Sequence, residues 1–122
     1  MKGAASLSLR IPDPMAAKLR TMAALEQRSM GELVRLLAEE ALKQREFPEI
    51  VFVDGPTGRR ARLTEGPDVW EVIEPYVLAG CNWEALRASY PELDERWLRA
   101  AIRYYDQYPE EIDARIALNQ RG

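Results

Sequence analysis

Few residue clusters in this chain have the types and spacing to do chemistry. The first is Ser6-Leu7-Ser8-Leu9-Arg10-Ile11, a strict polar–apolar alternation. Such a pattern predicts a strand with one buried face. Leu7, Leu9 and Ile11 share one side, and Ser6, Ser8 and Arg10 share the other. A two-stranded ribbon fits the major groove of B-DNA, where its outward side chains meet base edges. There arginine pairs bidentately with guanine, and serine donates or accepts. An ordinary solvated strand face carries the same residue types. The second cluster is Arg28-Ser29-Met30-Gly31-Glu32, with Ser29 and Glu32 in capping-box spacing before an apolar-periodic run. Free amides at a helix start bind phosphate through the N–H groups and the dipole. The Met30 and Gly31 amides stand there with Arg28 beside them, although plain capping accounts for Ser29 equally well.

Two arginine clusters come later. Arg59, Arg60 and Arg62 crowd one short stretch, suited to phosphate, to an acidic partner or simply to water. Arg96, Arg99 and Arg103 fall at i, i+3 and i+7, one face of a helix. That face reads either as a second recognition surface or as a charged exterior offset by Glu92, Glu95 and Asp106.

Catalysis has little to work with. The chain has no histidine and a single cysteine, Cys81. Thiolate zinc clusters, intrachain disulfides and histidine-based nucleophilic centres are therefore excluded. The carboxylates are scattered over expected helix surfaces and caps, without the alternating strand–helix pattern of a metal-dependent nuclease. No metal, cofactor or catalytic residue is expected, and binding is the expected activity. Cys81 reads as a small semi-buried hydrophobe.

Elements must position these clusters. Pro12-Asp13-Pro14 ends the expected strand, with Asp13 as N-cap and Pro14 at the first helical position. Met15, Leu19, Met22 and Ala23 then give an amphipathic helix to about Gln27. A second helix carries Leu33, Val34, Leu37, Ala38, Ala41 and Leu42 and fades near Glu46 before Pro48. One strand and two helices leave a lone strand unpaired and the core open. A two-fold dimer with antiparallel paired strands repairs both defects. Leu7, Leu9, Ile11, Leu33, Val34, Leu37 and Ala41 then form the shared dimer core.

Beyond Glu49 the texture changes. Ile50-Val51-Phe52-Val53 and Arg59–Leu63 read as the strands of a hairpin around Asp54-Gly55-Pro56-Thr57-Gly58. Gly66-Pro67-Asp68 opens a helix to about Ala79, with Gly80 as its C-cap glycine. Asn82 caps a short helix to about Ser89, and Asp94 caps another over Glu95 to about Gln107. A last helix begins at Glu110-Glu111, acids at its positive end. Most of the aromatic residues, including Trp70, Trp83, Trp97, Tyr104, Tyr105 and Tyr108, lie in this half. Some must form a small core, and any exposed excess marks a protein interface.

The 122 residues correspond to one compact domain or two very small ones. With 47% hydrophobic and 30% charged residues, the composition is that of a folded chain, not a disordered one. No apolar run approaches the roughly 20 residues that span a bilayer. Met1-Lys2-Gly3 lacks the apolar stretch of a signal peptide, so the expected location is cytoplasmic, with no membrane partner. The net charge of −3 hides an asymmetry. Residues 1–35 hold six basic against three acidic residues, and residues 47–122 hold nine basic against fourteen acidic. A basic end and an acidic end suggest two jobs.

Residues 5–46 resemble the ribbon-helix-helix family of DNA-binding proteins, the class of Arc and MetJ. The resemblance rests on the alternating strand, the Pro-Asp-Pro entry and the Arg-Ser-x-x-Glu opening of the second helix. It departs at the inter-helix turn, where Glu26-Gln27-Arg28 stands in place of the frequent glycine. It implies that Ser6, Ser8 and Arg10 read an operator, and that Arg28, Ser29, Met30 and Gly31 grip phosphate.

Residues 67–113 are similar to a small helix-turn-helix-like bacterial family encoded beside PIN-like toxins and regarded as their antitoxins. Val69-Trp70-Glu71-Val72-Ile73, Ala79-Gly80 and Tyr90-Pro91-Glu92-Leu93 carry that similarity. So do Ala100-Ala101-Ile102-Arg103-Tyr104-Tyr105 and Pro109-Glu110-Glu111-Ile112-Asp113.

The expected protein is α+β and mostly α. Residues 1–46 are a ribbon-helix-helix dimerisation and DNA-binding domain, and 47–122 a hairpin plus helical antitoxin-like domain. The expected function is a DNA-binding antitoxin that represses its own operon and neutralises a PIN-like ribonuclease toxin. Its partners are operator DNA, the toxin, and a second copy or higher even oligomer. A stand-alone regulator with two DNA-binding units and a purely structural assembly protein compete with it.

Overall fold

The computed structural model describes residues 3–121. Met1 and Lys2, which figure in the leader and charge arguments, lie outside the described residues. Among the described residues there are six helices and one two-stranded antiparallel sheet. It separates into two compact units, one ending at Glu39 and the other starting at Glu40. The division falls inside the second helix, ahead of the sequence boundary after Glu46.

The first unit holds α1 (Asp13–Leu25) and the front of α2 (Met30–Glu46). Pro12 takes the N-cap position of α1 and Asp13 is already helical, one residue earlier than expected. No side chain caps that end, so Asp13 contributes only its charge near the positive end of the dipole.

The α1–α2 turn explains how the chain dispenses with glycine. Gln27 adopts the left-handed conformation, with φ of 56°. The Arg28 amide donates to the Ala23 carbonyl at 2.9 Å, and the Gln27 amide to Ala24 at 3.2 Å. These are the two bonds of a Schellman motif, built around a non-glycine residue.

The second unit runs from the back of α2 through β1 (Ile50–Val53), β2 (Arg60–Leu63), α3 (Val69–Leu78), α4 (Trp83–Ser89), α5 (Glu95–Gln107) and α6 (Pro109–Arg121). The hairpin register pairs Ile50 with Leu63 and Val53 with Arg60. Gly58, at φ of 105°, takes a turn conformation that side-chain-bearing residues avoid. Gly55 and Gly58 exchange amide–carbonyl bonds at 3.0 and 3.1 Å. Ile50 and Leu63 then face a core shared with Val69, Val72, Ile73, Leu86 and Leu98. Tyr104 is the largest fully buried side chain.

The expected caps of the later helices hold. The Asp68 amide donates to the Glu71 carboxylate at 3.0 Å. The Asn82 side chain accepts from Ala85, and that of Asp94 from Arg96. Gly80 takes a positive φ of 71° after α3.

Candidate nucleic-acid interface

Residues 3–12 form neither helix nor strand within one chain. Ser6, Ser8 and Arg10 are exposed, as the base-reading expectation requires. Their apolar neighbours are equally uncovered: Leu7 is 80% exposed and Leu9 61%, while Ile11 is half-buried. Among the described residues this segment has no strand partner, and Leu7 and Leu9 have little apolar cover.

The start of α2 is better defined. The Glu32 amide donates to Ser29 Oγ at 3.0 Å, and the Leu33 amide to the Ser29 carbonyl at 3.0 Å. Ser29 is therefore an N-cap as its type predicts. The return arm of a capping box, from the Glu32 carboxylate to the Ser29 amide, is not made among the described residues, so the spacing delivers half the motif. The Met30 and Gly31 amides have no acceptor among the described residues. They are two of the orphan donors that open every helix. Gly31 is exposed, and a Cβ built on it meets nothing within 4 Å. Arg28 lies one residue before the cap, held by Glu26 at 3.0 Å, with both side chains about two-fifths exposed.

The residues assigned to a dimer core divide. Leu33 is buried and Val34 half-buried, whereas Leu37 (39% exposed) and Ala41 are exposed. On α1 only Ala23 is buried, and Met15 and Met22 remain open. The apolar face of these helices is incompletely covered in one chain.

Most arginines of the second unit's two clusters are engaged; Arg62 is exposed and has no side-chain ion pair among the described residues. Arg59 Nε and Nη2 donate to the two Glu40 carboxylate oxygens at 2.7 and 2.8 Å, with Asp54 at 3.3 Å. That bonding to Glu40, only partly opposed by burial, raises the already high pKa of Arg59. Arg60 donates to buried Asp68, which also accepts from Trp70 Nε1 at 3.2 Å. These two guanidinium groups pin the hairpin and the start of α3, so phosphate contact from them is a reading the ion pairs argue against. Sequence reasoning missed Arg115, whose guanidinium donates to the Thr57 and Arg59 carbonyls at 2.8 Å each. Fifty-odd residues of separation left no local signal for that tie.

On α5, Arg99 pairs with Glu95 at 2.6 Å and stacks over Trp83 at 4.2 Å. Arg96 stacks over Trp97 at 4.5 Å, and Arg103 reaches Glu49 at 3.5 Å. Two of the three already neutralise a carboxylate, as a charged exterior does.

The aromatic expectation needs correction as well. Each of the ten aromatic side chains is buried or half-buried. Phe47 packs edge-on against Tyr104 at 5.2 Å and Tyr108 at 6.1 Å. The Tyr104 hydroxyl donates to Glu111 at 2.8 Å, and Lys43 pairs with the same carboxylate at 2.9 Å. Aromatic surface is consumed by this core, leaving no exposed excess. Cys81 is exposed, not semi-buried, and sits at φ of 61° just past the end of α3.

Among the described residues no group of three or more carboxylate or cysteine side chains is placed to hold a metal ion. No described helix is long and apolar enough to cross a membrane.

Residues 5–45 match the family model described as ribbon-helix-helix protein, copG family. That match, over about a third of the chain, supports a ribbon-helix-helix unit at the N-terminus, and the family is one that binds DNA and usually dimerises. No curated protein and no solved structure matches the chain.

Proposed function

We propose that this protein is a dimeric, sequence-specific DNA-binding repressor of its own operon, and that its second unit binds and neutralises a co-encoded PIN-like ribonuclease toxin. The ribbon-helix-helix match over residues 5–45 carries the DNA half of this reading. Two copies of the 6–11 segment pair as an antiparallel ribbon, which covers Leu7, Leu9 and Ile11 and completes the core over Leu33, Val34, Leu37 and Ala41. Ser6, Ser8 and Arg10 then enter the major groove. The open Met30 and Gly31 amides, with Ser29 and Arg28, receive a backbone phosphate and fix the register.

The antitoxin half rests on the similarity of residues 67–113 to the helix-turn-helix-like antitoxin family and on the acidic balance of that half. Docking there blocks access to the metal or RNA site of the toxin. The engagement of Arg59, Arg60, Arg99 and Arg103 by carboxylates weighs against the competing reading, in which this unit is a second DNA-binding module.

The test is binding to the upstream DNA of its own gene across a salt series, with wild type and Arg10→Ala. Wild type prefers that DNA over random sequence, and affinity falls steeply with salt. Arg10→Ala loses about 1–3 kcal/mol of discrimination for each bidentate pair removed. Equal affinity of the two proteins for every sequence refutes base reading by the ribbon. For the second half, neutralisation of the neighbouring toxin by a chain lacking residues 47–122 refutes the assignment.

A further inference from the structure

Helix α2 carries two stripes that a single chain treats differently. Leu33, Leu36, Glu40, Lys43 and Phe47 recur at alternating intervals of three and four, which puts them on one side of the helix and its first continuation. All five are buried or half-buried. Val34, Leu37, Ala38 and Ala41 form a neighbouring side, on which Val34 is half-buried and the rest are exposed. That open stripe holds three of the residues proposed for the dimer core, Val34, Leu37 and Ala41.

The covered stripe changes character along its length. Leu33 and Leu36 are apolar, whereas Glu40 and Lys43 are charged, with side chains only 24% and 19% exposed. Each is met by a residue far along the chain. Arg59 donates to both Glu40 carboxylate oxygens, and Lys43 pairs with Glu111 at 2.9 Å while standing over the Tyr108 ring. The Phe47 amide donates to the Lys43 carbonyl at 2.8 Å, so its ring follows the helical path into the core. Ala41, Leu42, Gln44 and Arg45 are exposed, so packing of the last turns of α2 comes from Glu40, Lys43 and Phe47. A helix of 17 residues is little longer than the roughly 12–15 at which isolated helices are marginal, and tertiary packing supplies most helical stability.

We propose that Arg59 and Glu111 are positioning residues for dimerisation. By holding Glu40 and Lys43 they keep the back of α2 helical, and so keep Leu37 and Ala41 on the face that a second copy covers. DNA affinity then depends on two residues of the second unit that make no contact with DNA. The inference rests on the dimeric DNA-binding reading and is independent of any toxin.

The test is a double-mutant cycle in the full chain, with Lys43→Met, Glu111→Gln and the two together. The readouts are amide hydrogen exchange over residues 37–46, the dimer dissociation constant from sedimentation equilibrium, and affinity for the upstream DNA. Each single variant should speed that exchange and raise the dissociation constant by about tenfold, with DNA affinity falling in step. The double variant should be no worse than either single one, because it leaves no half-buried charge without a partner. Arg59→Gln should move the same readouts in the same direction. Arg99→Gln, which breaks the exposed α5 pair with Glu95, should move none of them. Faster exchange at the Leu98 and Tyr104 amides marks a variant whose core has opened, and Arg59→Gln, at a more exposed pair, then decides. Faster exchange at 37–46 with an unchanged dissociation constant overturns the inference, as does a fully additive cycle. A wild type that stays monomeric at every concentration refutes the dimer reading itself, before any variant is made, and the inference falls with it.

Discussion

Replacing Gly31 with glutamate should move stability and DNA affinity in opposite directions. Gly31 is the second residue of α2, and a Cβ there meets nothing within 4 Å. The substitution therefore introduces no clash. It removes a glycine from a helix, worth up to about 0.5–1 kcal/mol, with the smaller value near an end. It also adds an acid to the first turn, worth about 0.3–1 kcal/mol. The folded protein should gain roughly 1 kcal/mol, seen as a higher urea midpoint with unchanged slope at fixed protein concentration. DNA binding should suffer. A carboxylate about 5 Å from a bound phosphate costs roughly 1–3 kcal/mol at effective dielectrics of 80 to 20. Two-fold symmetry applies that cost twice. Affinity for the upstream DNA should fall at least tenfold, and the salt slope should become shallower by about 1–2. Gly31→Gln keeps the helix gain without the charge and should leave affinity near wild type. The reasoning is refuted if Gly31→Glu binds DNA like Gly31→Gln, because phosphate then does not sit at this helix start.

Other expectations follow from single residues. Gln27→Gly relieves a left-handed residue that costs about 1–2 kcal/mol, less about 0.4–1 for the freer unfolded chain, so it should stabilise by up to about 1.6 kcal/mol in urea unfolding. Ile50→Ala and Leu63→Ala, both wholly buried, should each cost about 2–5 kcal/mol by the same measurement. Tyr104 is buried and faces Glu111, so its pKa rises above the ordinary value, burial being the larger cause. A phenol with a raised folded pKa contributes stability that is complete below about pH 10 and lost as pH climbs above it. Tyr104→Phe should flatten that alkaline loss, and in wild type the tyrosine absorbance change of this residue should coincide with unfolding.

What could be read from sequence was whatever a short window encodes. The Asn82 and Asp94 caps, the hairpin and the punctuation by Pro48, Gly80 and Pro91 are each decided within a few residues, and the structure has them. Ser29 was legible as a cap for the same reason, although spacing alone could not say that Glu32 would fail to return the bond. The arginines were misleading because a side chain's partner lies outside any window. Arg59 meets Glu40 of α2, Arg103 meets Glu49, and Arg115 reaches back to Thr57. Counting tryptophan and tyrosine suggested an exposed interface. A small unit has so little volume that its core consumes the faces of all of them.

The course of α2 has a consequence for dissecting the two proposed activities. Leu33 is buried near its front, where residues up to Glu39 group with the first unit. Its back belongs to the second unit: Lys43 pairs with Glu111 and lies 4.5 Å from the Tyr108 ring centre, and Glu46 accepts from the Tyr108 hydroxyl at 2.9 Å. Phe47, the next residue, is core. A cut after Glu46 strips Glu111 of its cation and Tyr108 of its acceptor, and a cut after Glu39 halves a 17-residue helix. Loss of toxin binding in a fragment starting at residue 47 would therefore report a damaged core as readily as a missing interface. Point substitutions at the exposed positions Arg10 and Gly31 test the proposed DNA activity without that ambiguity, because each alters a surface while leaving α2 whole.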